Sequence, residues 1–201
     1  MTAARSTIDI RKAEPWDGLD VATALSEAFF DDPIVEWILP DRAQRRSVSV
    51  PMFSLFAEAF LPYGEVRVTG DGIGAALWLP PGAELSESET EAFGGAVAEV
   101  LGPDAERAFE LMAVMEEHHP HEPCYYLQLV GVVPEHQGKG LGAALMQPVL
   151  AQCDREGVPA YLEATTRASL RLYERLGFEV IGEFAPAGGP PLWPMWRRPA
   201  R

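Results

Sequence analysis

The stretch "GVVPEHQGKGLGAALM", residues 131–146, joins an apolar segment to one with the composition of a helix. Gly138, Gly140 and Gly142 stand at every second position in it, and Lys139 lies between the first two. Each glycine lowers helix propensity by about 1 kcal/mol relative to alanine, so their placement at a helix start needs a compensating gain. Amides in the first turn of a helix are unpaired and carry partial positive charge, and glycines leave them open to a phosphate. The stretch therefore predicts an anion-binding turn, and a tightly packed loop is the alternative.

Two familiar phosphate-binding patterns fit this stretch less well. A P-loop has the pattern G-x-x-x-x-G-K-[ST], but the residue after Lys139 is Gly140 rather than serine or threonine. A dinucleotide-binding fingerprint has the spacing G-x-G-x-x-G, whereas the spacing here is G-x-G-x-G. An acidic residue, Glu163, does follow at the distance of about 20 residues that this fingerprint uses. An NAD(P)-binding oxidoreductase therefore stays open as a remote alternative.

Composition and charge narrow the class of protein. The chain has 201 residues, enough for one domain, and we expect residues 1–201 to form it. A net charge of −14 at pH 7 argues against nucleic-acid binding, which needs clustered cations. No segment approaches the roughly 20 apolar residues of a membrane span, and the N-terminus lacks the apolar core of a signal peptide. We therefore expect a cytoplasmic protein that binds neither membranes nor nucleic acid.

The cysteines and histidines give no metal-binding pattern. Cys124 and Cys153 are the only two cysteines, and their spacing fits neither a disulfide framework nor a zinc site. His118, His119 and His121 lie just before Cys124, without the i, i+4 pair of histidines that binds zinc on a helix. We expect no metal.

Apolar periodicity along the chain predicts a mixed α/β fold. Strands are predicted at residues 6–12, 65–69, 73–79, 124–133, 160–164, 178–184 and 192–197. Helices are predicted at residues 17–30, 41–61, 90–117 with a break at 102–103, 141–156 and 167–176. Pro51 and Pro148 fall inside two of these helices and predict kinks, and Gly177 has the position of a helix C-cap.

The Q-x-x-G-x-G pattern of residues 137–142 resembles the central motif of the GNAT N-acetyltransferase superfamily. The resemblance continues through "VPAYLEATTRASLRLYERLGFEV", residues 158–180, which is similar to the strand, helix and LYxxxGF segment of that superfamily. Residues 122–184 are most similar to the puromycin N-acetyltransferase-like subgroup. The resemblance implies a central, mostly antiparallel sheet that is splayed at the strand binding coenzyme A and flanked by helices.

The resemblance also implies acetyl-CoA as co-substrate, with its diphosphate on the backbone amides that follow Gln137. A glycine within a strand indicates a bulge, and we expect one at Gly131, where it would free backbone groups for the pantetheine arm. Thr166 stands where the superfamily often has asparagine before a helix, and it predicts an N-cap. The implied cofactor-binding residues are Val130, Gly131, Val132, Gln137, Gly138, Lys139, Gly140, Leu141, Gly142, Ala143 and Thr166.

Acetyl transfer by direct attack of an amine in a ternary complex needs a proton acceptor for the amine and a proton donor for the departing thiolate. Tyr173 matches the tyrosine that the superfamily uses as general acid, although its spacing with Leu170 and Leu176 is also that of a packed helix face. Glu163 is a possible base. Glu122, the aspartates at 31 and 32, a water relay and the absence of any dedicated base remain open.

The acceptor side of the site is predicted from the residues after the first helix. Phe30, Asp31 and Asp32 lie where the superfamily usually shapes its acceptor pocket, and two carboxylates there would attract an ammonium group. The expected partner is a small-molecule primary amine, and the expected assembly is a monomer or a homodimer. A catalytically silent acyl-CoA-binding regulatory module is the main alternative function.

Overall fold

The computed structural model describes residues 9–83 and 86–200, and seven of their strands form one sheet. The spatial order is β1-β2-β3-β4-β5-β7-β6, and every neighbouring pair is antiparallel except β4 and β5. The strands are β1 (Ile10–Lys12), β2 (Val66–Thr69), β3 (Gly74–Leu79), β4 (Tyr125–Val132), β5 (Ala160–Ala164), β6 (Glu179–Val180) and β7 (Trp193–Arg197). The predicted mixed α/β class with a mostly antiparallel sheet is confirmed.

Helices cover both faces of this sheet. They are α1 (Gly18–Ala28), α2 (Pro33–Ile38), α3 (Arg42–Phe60), α4 (Glu87–Leu101), α5 (Ala105–His118), α6 (Leu141–Glu156) and α7 (Arg167–Arg175). Short 3₁₀ turns occur at Pro15–Asp17, Leu61–Tyr63, Gly102–Asp104 and Pro134–His136. Helix α2 was not predicted, because six residues are too short to show an apolar period. Its start is nevertheless encoded locally by the Asp32 cap and by Pro33 in its first turn. Both α3 and α6 continue through their prolines, Pro51 and Pro148.

The core forms two clusters, one on each face of the sheet. The first cluster packs α1, α2, α3 and the α4–α5 pair against one face of β2 and β3, with Leu25, Phe53 and Leu77 at its centre. The second packs α6 and α7 against the other face, around residues such as Leu145 and Leu162. The sheet is therefore covered on both faces.

Strands β4 and β5 separate along their length. They pair in parallel only at residues 125–127 of β4, where Tyr125 lies opposite Ala160 and Leu127 opposite Leu162. Beyond this point β4 pairs only with β3 on its other side, as far as Val132. The side chains of residues 128–130 are half-buried, in contrast to the buried residues before and after them. The predicted splay at this strand is present, and it opens a cleft between β4 and β5.

The bulge in β4 lies at Gln128 rather than at Gly131. The register shifts between Leu77 and Trp78, which pair with Leu129 and Leu127, so Gln128 is the extra residue. Gly131 stays in register, and a Cβ there would lie 2.7 Å from the Cβ of Ala28 in α1. The prediction of a bulge at Gly131 was therefore wrong: this glycine is needed for the close approach of a helix to the strand.

Two of the predicted strands, at residues 6–12 and 178–184, were longer than the strands observed. The first strand is Ile10–Lys12 of the predicted 6–12, and residues 6–8 lie outside the described residues. The predicted strand at 178–184 pairs as a ladder only at Glu179–Val180, followed by one isolated bridge from Phe184 to Leu192. Glu179, Val180, Ile181 and Gly182 are all exposed, so no core fixes their alternation.

Candidate active site

The stretch after β4 forms a tight turn, which we call the glycine turn and define as residues 138–143. Gly138 has φ +73° and Gly140 has φ +86°, a left-handed conformation that favours glycine. Gln137 Nε2 donates to the Val132 carbonyl at 3.0 Å, and Lys139 Nζ donates to the Glu135 carbonyl at 2.9 Å. Gln137 thus ties the segment before the turn to the end of β4, and Lys139 ties the turn to the 3₁₀ segment Pro134–His136.

The amides of the glycine turn are open. No side chain caps α6 at Gly140, and no acceptor within residues 9–83 and 86–200 binds the amides of Leu141, Gly142 or Ala143. A Cβ at Gly138 or Gly140 would meet no atom within 4 Å, so the space in front of the turn is clear. Free amides at the start of a sixteen-residue helix favour an anion, and they fit the diphosphate of coenzyme A.

The residues implied for the cofactor arm lie beside the cleft. Val130 follows the point where β4 and β5 separate, and its half-buried side chain faces α6 with the second core cluster. Gly131 and Val132 pair with Ala75 and Gly74 of β3, so the side of β4 that faces β5 has no strand partner here. The end of β4 and the glycine turn thus form one continuous edge of the cleft.

Tyr173 projects from α7 into the fold and is buried. Its ring packs edge-on against Phe178, with centroids 6.2 Å apart, and no other described residue binds its hydroxyl. Burial raises the pKa of Tyr173, and the nearby charge of Asp32 raises it further. The phenol therefore keeps its proton at neutral pH, as a general acid must. Thr166 caps α7 as predicted, its hydroxyl accepting from the Ser169 amide at 3.1 Å.

Asp31 and Asp32 have different surroundings. Asp31 is exposed and pairs with Arg42 at 2.6 Å, while Arg42, Arg45 and Arg46 all lie over the ring of Phe30. Asp32 faces inward: Oδ1 accepts from the Ile34 amide at 2.9 Å, and Oδ2 accepts from Thr165 Oγ1 at 2.6 Å. Burial raises the pKa of Asp32. The ring of Phe30 and the carboxylate of Asp31 are thus already in contact with arginine side chains. Asp32 is the acidic residue that lies near Tyr173.

Glu163 lies in β5 on the sheet face opposite α6. Burial raises its pKa to about 7, and the hydroxyls of Tyr126 and Tyr161 beside it partly offset this effect. Glu163 Oε1 and the Tyr161 hydroxyl oxygen are both buried without a hydrogen bond of normal geometry among the described residues. The ring of His119, just after α5, packs edge-on against both tyrosines with centroids 4.8 and 5.3 Å away.

The surroundings of Glu163 were not predicted. Tyr161 and Glu163 stand at alternate positions of β5, so the sequence does contain the signal that they share a face. The sequence contains no such signal for the contact of His119 with the two tyrosines. That contact depends on where the chain after α5 lies relative to the sheet. Glu122, another candidate base, is exposed and lines a surface cavity with Gly157 and Pro159, at the opposite end of β5 from the cleft.

No group of three or more histidine, cysteine, aspartate or glutamate side chains among residues 9–83 and 86–200 is arranged to hold a metal ion. None of the helices in the same ranges combines the length and apolar character needed to cross a bilayer.

Comparisons with known proteins agree with this geometry. The model of the Acetyltransferase (GNAT) family matches residues 86–178. An uncharacterized N-acetyltransferase of Schizosaccharomyces pombe is 29% identical over 182 residues, which are 84% of this chain and 73% of that protein. A Corynebacterium glutamicum structure, described as histone acetyltransferase HPA2 and related acetyltransferase, superposes with a TM-score of 0.74 at 26% identity. The superposition covers 96% of this chain and 97% of that one. Mycothiol acetyltransferase of Acidothermus cellulolyticus is 35% identical over 52% of this chain, but over only 32% of its own length.

Proposed function

We propose that this chain is an N-acetyltransferase of the GNAT superfamily and that it transfers an acetyl group from acetyl-CoA to a primary amine of a small molecule. One observation carries the proposal. The open amides of the glycine turn follow the end of β4, Asp32 lies near the protonated phenol of Tyr173 and is bonded to Thr165 just after β5, and Glu163 lies in β5 itself. We infer that these groups meet at the opening between β4 and β5. This set contains a binding group for the co-substrate, a proton donor and proton acceptors.

The glycine turn and the end of β4 would hold acetyl-CoA, which supplies an acetyl thioester when bound. Amides of Gly138 to Ala143 donate to the diphosphate, and the Gln137 and Lys139 contacts keep the turn in the required shape. Backbone amides of residues 130–132 that face the cleft polarise the carbonyl. Thr166 stays with its capping bond to Ser169 and supports the helix that carries Tyr173.

The acceptor amine approaches from the face of the sheet that carries Glu163. Asp32 and Glu163 attract its ammonium form, since no cation among the described residues pairs with either carboxylate. Glu163 then accepts a proton from the amine, because a pKa of about 7 leaves much of it ionised at neutral pH. The N–C bond forms as the C–S bond breaks, and Tyr173 delivers its hydroxyl proton to the departing sulfur. The second proton that the amine nitrogen loses restores the Tyr173 phenol, so one proton stays on Glu163 and is released to solvent. Contact between the two bound substrates supplies much of the acceleration.

The test is release of the coenzyme A thiol when acetyl-CoA is mixed with a panel of primary amines. We expect release with at least one amine, and a loss of about 100-fold in kcat for Tyr173→Phe, the size typical for removal of a general acid. Tight binding of acetyl-CoA without release for any amine would contradict the proposal and indicate an acyl-CoA-binding module. A thermal shift with NAD(P) but not with CoA would indicate the oxidoreductase alternative.

The panel includes puromycin because residues 122–184 resemble the puromycin N-acetyltransferase-like subgroup. We propose that the protein belongs to that subgroup. We also propose that residues 1–201 form one domain, that the protein acts in the cytoplasm and that it is a monomer or a homodimer. The residues that carry the resemblance border the co-substrate half of the cleft. Acceptor preference is therefore decided by the panel.

A further inference from the structure

Arg197 in β7 joins the ends of two helices. Its Nε donates to the Leu176 carbonyl at 2.9 Å, just after α7. Its Nη2 donates to Asp154 Oδ2 at 2.9 Å, and its Nη1 lies 2.8 Å from Asp154 Oδ1. Asp154 belongs to α6, and its Oδ1 also accepts from the Ala200 amide at 2.7 Å. Only the Nη2 contact with Asp154 is a hydrogen bond of normal geometry, and Nη1 contributes an ion-pair contact. Arg197 is only 8% exposed, and its Nε and Nη2 bonds hold the end of α7 and Asp154 of α6 on one guanidinium.

The contact at Leu176 fixes the turn that ends α7. Gly177 follows with φ +89°, and the Arg197 side chain packs where its Cβ would point, 3.6 Å from Nε. The amides of Leu176 and Phe178 both donate to the Tyr173 carbonyl, at 2.9 and 3.1 Å. The turn held by Arg197 is thus bonded directly to the backbone of Tyr173.

The two helices carry the two halves of the proposed chemistry. Helix α6 begins at the glycine turn and contains Asp154, whereas α7 carries Tyr173. With nine residues, α7 is too short to be stable alone, so its placement depends on contacts at its ends. The hydrogen bond from Arg197 lowers the pKa of Asp154, so the pair stays ionised at neutral pH.

We propose that Arg197 is a positioning residue that holds α7 against α6 and thereby sets the distance between the Tyr173 hydroxyl and the glycine turn. The inference rests on the proposed role of Tyr173 as general acid. Displacement of a reacting group by about 1 Å costs on the order of 100-fold in rate, so a looser α7 lowers kcat. Binding of acetyl-CoA to the glycine turn does not require Tyr173 and stays unchanged.

The test compares Arg197→Met, Arg197→Lys and a matched control, Arg198→Met, which changes the exposed neighbour in sequence. For Arg197→Met we expect kcat to fall between about 10-fold and 100-fold. Its acetyl-CoA dissociation constant, measured by calorimetry, stays within about twofold of the wild-type value. This is expected because the substitution leaves the contacts that bind acetyl-CoA in the ground state unchanged. Arg197→Lys keeps the charge beside Asp154 but lacks the Nε donor. We expect its kcat to lie between that of the wild type and that of Arg197→Met. Arg198→Met matches the wild type.

A double-mutant cycle separates positioning from general destabilisation. If Arg197 acts through Tyr173, Arg197→Met causes no further loss of kcat in a Tyr173→Phe background. Losses that multiply in the double variant would overturn the proposal, as would an unchanged kcat in Arg197→Met. An unchanged kcat in Tyr173→Phe would overturn it as well, together with the general-acid assignment.

Hydrogen exchange gives a readout that needs no acceptor amine. In Arg197→Met, we expect amides of residues 170–178 to exchange at least about 10-fold faster, while those of residues 145–150 in α6 stay protected. Equal exchange of α7 in variant and wild type would overturn the proposal. A wild-type chain inactive on every amine would count against the proposed function alone, since the exchange experiment does not depend on turnover.

Discussion

At the scale of single residues, Glu163 departs clearly from an ordinary glutamate. Burial raises its pKa from 4.5 to about 7, and a buried carboxylate oxygen lacks a hydrogen bond of normal geometry. Burial of such a group costs stability, and this cost favours a functional role for Glu163. Sequence alone named Glu163 only as a candidate base. Tyr161 shares a face with Glu163 through strand alternation, but the contact of His119 with the tyrosines beside Glu163 depends on the folded chain.

The activity of the wild type should rise with pH through about pH 7, because Glu163 accepts a proton only when ionised. Glu163→Gln is expected to lower kcat by about 100-fold. It should also remove the step near pH 7 from the pH profile of kcat/KM, measured by thiol release. A profile whose midpoint near pH 7 survives in Glu163→Gln would show that another group titrates there.

The same substitution has a consequence for stability. Because the folded-state pKa of Glu163 is raised from 4.5 to about 7, its protonation favours the folded state below pH 4.5. That contribution disappears as pH rises through about 7 and amounts to about 3 kcal/mol at most, at roughly 1.4 kcal/mol per pKa unit. Relative to the wild type, Glu163→Gln should therefore gain stability between pH 5 and pH 8 in urea unfolding. A difference between the two proteins that is independent of pH would contradict the shift.

Asp32 can be tested with a variant that preserves its structural role. Asparagine also caps helices, so Asp32→Asn keeps the bond to the Ile34 amide and removes the charge. We expect the KM for a cationic acceptor to rise about 10-fold, the effect of losing one hydrogen bond to a charged group. Asp41→Asn is the control, because Asp41 caps α3 in the same way but is exposed. An equal acceptor KM in both variants would remove Asp32 from the acceptor site.

At the scale of elements, the turn into α6 was predicted correctly because its chemistry is local. A strand, a glycine-rich turn and a helix follow one another within residues 125–156, and no distant contact is needed to specify them. β5 and the β2–β3 hairpin were also predicted closely, from apolar alternation and glycine punctuation. The bulge was predicted at Gly131 rather than at Gln128, because a glycine in a strand indicates either a bulge or a close approach. Here Gly131 admits α1, and that packing brings together residues far apart in sequence.

The glycine turn offers a matched pair of substitutions. Gly140 and Gly157, at the two ends of α6, have φ +86° and +71°, and a Cβ on either would meet no atom within 4 Å. Alanine at either position should therefore cost a similar free energy of unfolding, about 1 kcal/mol. Only Gly140→Ala alters the open amides, so we expect it to raise the acetyl-CoA dissociation constant about 10-fold in calorimetry while Gly157→Ala leaves it unchanged. Equal affinities in the two variants would place the diphosphate elsewhere.

At the scale of the whole molecule, the net charge of −14 acts on the two substrates in opposite directions. The field attracts a cationic amine and repels polyanionic acetyl-CoA. Raising salt from about 20 mM to about 300 mM shortens the Debye length from about 20 Å to about 6 Å. The KM of the amine should then rise several-fold while that of acetyl-CoA falls, in steady-state assays. Changes of the same sign for both substrates would indicate a general effect of salt on the protein.

The fold class could be predicted from the sequence because one short segment, residues 131–146, carries a motif tied to one architecture. The acceptor side could not be predicted to the same depth. It is assembled from the α1–α2 loop, the face of β5 and the end of α5, which meet only in the folded chain through contacts such as Thr165 with Asp32. Side chains that are remote in sequence leave no periodic signal of their meeting.

The central claim is that backbone amides at the start of α6 hold the diphosphate of acetyl-CoA beside the cleft. A crystal structure of the protein with bound coenzyme A tests it most directly. We expect diphosphate oxygens within about 3.2 Å of amides between Gly138 and Ala143, and the thiol at the opening between β4 and β5 near Tyr173. Coenzyme A bound elsewhere, with these amides facing only solvent, would contradict the account.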